Sequence, residues 1–264
     1  IAAAFASPLL ALIKQSSFSI CISGRTRSGK TVATLMGGSV IGLGTQEGLL
    51  TWNNTEAGFN ETLTRFRDCL CPVDDFESMT GSNADRYQRI RNLSYTVGTG
   101  SEKGRHSKSS LSSKQWRSII LTSMERPVRE LAQNVGQTRQ GGETIRTIDL
   151  PIAPSSQTRP NIFDRAEADG TPITQRWMQK TFRRIIDACA EHHGIVFERY
   201  VASLCADKEV AHSKAQSDIQ TFVKAVALPH DGPEVNELAR LFGLLFAGGG
   251  LAIRYDLLPW RRSE

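Results

Sequence analysis

The stretch Gly24-Arg-Thr-Arg-Ser-Gly-Lys-Thr31 constrains this chain more than any other. It follows the apolar run FSICIS at 18–23 and precedes a helical pattern over 30–42. A loop spaced GxxxxGK[ST] between a strand and a helix is a phosphate cradle. Its glycines let backbone N–H groups converge on phosphate oxygens, and the helix N-terminus behind it adds a favourable dipole. The spacing assigns Gly24, Arg25, Thr26, Arg27, Ser28, Gly29, Lys30 and Thr31 to nucleotide binding. Lys30 is expected to reach the β- and γ-phosphates, and Thr31 to offer its hydroxyl to Mg²⁺. Arg25 and Arg27 add two charges, for which nucleotide, a neighbouring subunit and water remain equal candidates.

Such a loop needs a metal-orienting carboxylate at the end of a neighbouring strand. The run Cys69-Leu-Cys-Pro-Val-Asp-Asp75 supplies Asp74 for Mg²⁺ and Asp75 to polarise the attacking water. The plainer alternative is an Asp-Asp turn capping the next helix. Asp75 is one methylene shorter than the Glu usual at this place, and a misplacement of about 1 Å can cost on the order of 10²-fold in rate. Slow hydrolysis, faster in Asp75→Glu, is the expectation. No NKxD or TKxD is present, so ATP is expected rather than a guanine nucleotide.

Around these motifs, apolar β-rich runs alternate with helical periodicity. Strands are expected at 18–23, 49–52, 69–73, 116–123 and 144–150, and helices at 30–42, 55–68, 84–93 and 126–134. That alternation implies an α/β fold with a parallel sheet sandwiched by helices. The segment 151–172 holds four prolines without periodicity and reads as a linker. Helical patterns then follow at 175–193, 197–206, 213–228 and 233–247. The expected organisation is an ATPase core over 1–150, the linker, and a small all-helical lid domain over 173–264.

The net charge of +5 permits a nucleic-acid partner without requiring one. Five cysteines without CxxC spacing argue against a zinc site and suit a reducing cytoplasm. The opening run IAAAFASPLLALI is expected to be a helix cut from a longer protein, and the apolar run at 241–253 is too short to span a bilayer. No membrane segment is expected.

The order of pieces AFASPLL, GxxxxGKT, TWNNT, VDD, YTVGTGSEKGR, WRSIILTSME, GETIRTIDLP and ARLFGLLFAGGGLAIRYDLLPW resembles the bacterial domain-of-unknown-function 927 family. That family comprises helicase-like AAA+ P-loop ATPases of phages, plasmids and other mobile elements. The resemblance implies an AAA+-like sheet and a homo-oligomeric ring, a hexamer in the parent protein, acting on single-stranded DNA. Two departures stand out. Asp75 replaces the usual Glu, and the loop usually written NGxGKxR is expanded by two residues at 98–105.

The resemblance also implies roles for individual residues. Ser123, favoured over Thr122, would hold the attacking water. Arg146, with Arg139 as substitute, would reach a neighbour's γ-phosphate as an arginine finger; an edge ion pair with Asp149 or Glu143 is the alternative. Arg240 would be either a lid arginine or a solvated one. Lys103, Arg105 and Lys108, in a basic loop between Tyr95 and Lys114, would grip a nucleic-acid backbone; a solvated loop is the alternative. The function expected is an ATP-driven DNA helicase or translocase. An ATP-dependent switch or loader without unwinding is the alternative, and a small-molecule kinase ranks behind both because no acceptor site can be identified.

Overall fold

A computed structural model describes residues 1–99, 116–152, 162 and 174–260. Among these, five strands form one parallel sheet: β1 (Phe18–Ser23), β2 (Leu50–Thr51), β3 (Cys69–Asp74), β4 (Ser118–Met124) and β5 (Thr147–Pro151). Their spatial order is β2-β3-β4-β1-β5. The cradle strand β1 is therefore central, with Phe18 opposite Ile119 of β4 and Ser19 opposite Thr147 of β5.

Among the described residues, eleven α-helices accompany the strands. α1 (Ala2–Ala6) and α2 (Leu9–Leu12) precede the sheet, α3 (Lys30–Val40) follows the cradle, and α4 (Glu56–Arg65) and α5 (Asn83–Thr99) flank β3. α6 (Val128–Asn134) and the short α7 (Gly141–Thr144) lead into β5. α8 (Gln175–Glu191), α9 (Ile195–Ala206), α10 (Lys208–Val226) and α11 (Pro233–Arg254) complete the chain.

Both faces of the sheet are covered, so the strands read as apolar runs rather than alternating ones. Side chains nevertheless alternate in direction. Phe18, Ile20 and Ile22 of β1 join a core with α1, α2, α9, α10 and α11, whereas Cys21 joins the opposite core with Trp52, Phe59, Tyr87 and Ile120. The C-terminal helices thus bury Tyr200, Leu204, Leu241 and Leu244 in the same cluster as Phe5 and Phe18. α8 lies outside α3, where Cys189 packs with Leu35 and Leu49. A buried ion pair joins α10 to α11, with Arg254 donating to Asp218 at 2.6 and 2.9 Å.

Most expected elements are present, with four informative shifts. α5 runs to Thr99 and not to 93, because Val97 and Thr96 are buried and the Ser94 and Thr147 hydroxyls meet at 2.6 Å. α10 begins at Lys208, capped by Asp207, whose carboxylate accepts from Val210 N at 3.0 Å. α11 continues through Gly248–Gly250 to Arg254. β5 begins at Thr147, and residues 141–144 form a helical turn, so Arg146 precedes the strand instead of lying in it. Among the described residues no helix is long and apolar enough to cross a membrane.

Candidate nucleotide site

The site lies where the C-terminal ends of β1, β3 and β4 meet, the usual ligand position of a parallel sheet. The loop leaves β1 with Gly24 N donating to Met124 O of β4 at 3.1 Å. Arg27 has φ of 64° and Gly29 φ of 96°, so the chain twice takes the left-handed conformation. Gly29 is also constrained by space. A Cβ there would fall 2.6 Å from the Phe182 ring of α8 and 2.9 Å from Ile162. The Ile162 N–H donates to Ser28 O at 2.9 Å, so a residue distant in sequence braces the loop.

Lys30 is buried, and its ammonium donates to the carbonyls of Gly24 at 2.7 Å and Arg25 at 2.9 Å. Burial pulls its pKa below the ordinary lysine value, against the attraction of Glu77, Glu125 and Asp74. Thr31, in the first turn of α3, donates to Asp74 Oδ1 at 3.2 Å. Ser123 Oγ also donates to Asp74 Oδ1 and accepts from the Asp75 N–H at 3.2 Å. Lys30, Thr31, Asp74 and Ser123 therefore converge. A hydroxyl and a carboxylate are hard oxygen donors of the kind Mg²⁺ takes alongside phosphate and water.

Thr122 goes elsewhere. It is buried on the other face of β4, where it accepts from Trp52 Nε1 at 2.8 Å. Asp75 is exposed, with φ of 55°, and among the described residues its carboxylate accepts no hydrogen bond. Arg25, Thr26 and Arg27 are exposed, while Ser28 and Gly29 are buried.

Two carboxylates escaped the sequence reading. Glu125, at the end of β4, accepts from Thr26 Oγ1 at 2.7 Å. Glu77, three residues past Asp74, accepts from the Glu125 N–H at 2.6 Å. Burial raises the Glu77 pKa above the ordinary glutamate value. The spacing Asp74-Asp-Phe-Glu77 is the only sequence signal for it.

The arginines sit apart from this cluster. Arg146 lies at the opposite end of the sheet, where its backbone carbonyl accepts from Ser19 N. Its guanidinium donates to Gly142 O at 2.7 Å and stands 5.7 Å from the centre of the Tyr95 ring. Arg139 is committed inside the chain, donating to Asp149 Oδ2 and Glu143 O, both at 3.0 Å. Asp149 in turn accepts from the first N–H groups of α6. Arg240 is exposed and 3.8 Å from Glu237. Lys103, Arg105 and Lys108 lie outside the described residues.

Residues 1–116 match the family model described as Domain of unknown function (DUF927), so the resemblance read from sequence holds over that stretch. No curated protein matches. Among solved structures, one titled "SCCmec type IV Cch - active helicase" is similar at 15% identity with a TM-score of 0.67. The match covers 99% of this chain and 44% of that one, so this chain spans less than half the length of its structural relative. At this identity the likeness establishes a shared fold: a parallel α/β sheet flanked by helices, followed by a helical region.

Proposed function

We propose that the chain is the ATP-hydrolysing core of a mobile-element helicase or translocase. The observation that carries this reading is the meeting of Lys30, Thr31, Asp74 and Ser123 at the mouth of a loop with cradle geometry. Lys30 donates hydrogen bonds to two carbonyls of its own loop, and phosphate oxygens would replace them as acceptors. Thr31 and Asp74 would hold Mg²⁺, whose charge would offset the charge on the transferring phosphoryl group. Ser123, fixed between Asp74 and the Asp75 N–H, would position the attacking water.

Arg146 lies too far along the sheet to serve its own cradle. Its proposed role as an arginine finger is therefore in trans, within a homo-oligomeric ring. The track proposed is single-stranded DNA, held by Lys103, Arg105 and Lys108 through phosphate contacts that weaken with salt. The residue span proposed for the core is 1–150, with 173–264 as its helical lid. The fold shared with a chain titled an active helicase supports this reading.

The experiment is ATP turnover of the full-length protein with and without single-stranded DNA. Stimulation by DNA, lost in a Lys103→Ala/Arg105→Ala double variant, is the expected result. Turnover indifferent to DNA would favour a nucleotide switch or loader.

A further inference from the structure

The two carboxylates following β3 stand in different surroundings. Asp75 takes the left-handed conformation at φ 55°, which turns the chain abruptly at the strand end. Its own side chain is exposed. The next residues form a 3₁₀ turn over 76–78, closed by Ser78, whose N–H and Oγ both donate to Asp75 O, at 3.1 and 2.7 Å. Arg86 of α5 steadies the turn by donating to Glu77 O at 3.4 Å. The turn carries Glu77 back over the end of β4, where the Glu125 N–H fixes Oε1 at 2.6 Å. Glu125 is itself tied to Thr26 of the cradle at 2.7 Å. Glu77 is thus one link from the phosphate loop, and Asp75 is not part of that chain.

We propose that Glu77, rather than Asp75, supplies the carboxylate that orients and deprotonates the attacking water. This inference rests on the ATPase reading above. One observation supports it beyond the hydrogen bonds. Glu77 is half-buried, so its charge is less screened than that of exposed Asp75.

In the step proposed, the water oxygen bonds to the γ-phosphorus as the bond from that phosphorus to the β–γ bridging oxygen breaks. ADP leaves with the bonding pair. The water proton passes to Glu77 Oε2, the oxygen not held by Glu125, and then to solvent. The longer Glu side chain thereby compensates for the short Asp at position 75.

The test compares Glu77→Gln, Asp75→Asn and Lys30→Ala in the full-length protein. Binding is read with a fluorescent ATP analogue and turnover as phosphate release. Glu77→Gln preserves the acceptor for the Glu125 N–H, so binding and melting temperature should stay near wild type. Turnover should fall about 10²–10⁴-fold, the usual contribution of a general base. The loss of turnover should be clearly larger in Glu77→Gln than in Asp75→Asn, and the reverse order overturns the proposal. Turnover that needs Lys30 but survives Glu77→Gln overturns this proposal alone. If Lys30→Ala leaves binding and turnover unchanged, the ATPase reading falls and this proposal with it.

Discussion

Neighbouring hydroxyls on β4 do different work. Thr122 and Ser123 are adjacent, both buried, and chemically alike. Strand alternation sends Thr122 to the Trp52 indole and Ser123 to Asp74. Thr122→Val should leave the Trp52 N–H buried without an acceptor and cost about 1–3 kcal/mol, read as a lower denaturation midpoint. Ser123→Ala should leave the midpoint nearly unchanged and slow ATP turnover by about 10²-fold through a misplaced water. The hydroxyl pair was legible in the sequence. The face each one takes was legible only in part, since a strand buried on both sides has no polar face to mark its direction. A different limit hid Glu77, which lies in a turn past β3 and not on a strand. Asp75 stands where a motif expects a base, and only the left-handed turn at Asp75 shows that the next carboxylate comes back over the sheet.

At the scale of elements, the cradle depends on a helix far along the chain. α8 lays Phe182 against Gly29, leaving no room for a methyl group. Gly29→Ala should therefore cost about 1–3 kcal/mol by overpacking and weaken ATP-analogue binding, a loss measurable by denaturation and titration together. Sequence showed why Gly29 belongs to the loop, but the packing partner is a long-range fact that no local pattern encodes. Element boundaries follow the same logic. The start of α10 was written in Asp207 as a cap, a local signal that went unread. The end of α5 was not written locally, because burial of Val97 and the contact of Ser94 with Thr147 extend a helix through β-branched residues.

Across the whole molecule, α11 packs closely on α1, and both share one core with the sheet. Gly248 of α11 faces α1, where an added Cβ would meet Ala6 N at 2.6 Å, Ala6 Cα at 2.8 Å and the Phe5 carbonyl carbon at 2.9 Å. These are backbone atoms and cannot rotate away. Gly249, one residue on, has nothing within 4 Å of an added Cβ. Gly248→Ala should force α1 and α11 apart and cost about 1–3 kcal/mol. Gly249→Ala should be neutral or stabilise by about 0.5–1 kcal/mol through helix propensity. Paired thermal melts separate the two. The helical pattern expected from sequence ends at 247, and the close crossing of α1 explains the glycine at 248 within the longer α11. The parallel sheet was legible because the motif and the strand–helix alternation are local, whereas the central place of the cradle strand comes from the strand order of the folded chain. The burial of α1, α2 and α9–α11 in one cluster is not local and emerges only from the folded chain.

Hydrolysis of ATP at this cradle is the function proposed. Phosphate release from Mg·ATP by the full-length protein, beside its Lys30→Ala variant, tests it most directly. Measurable turnover in the wild type and a loss of about 10²-fold or more in the variant are expected. Equal phosphate release from the two proteins would contradict it.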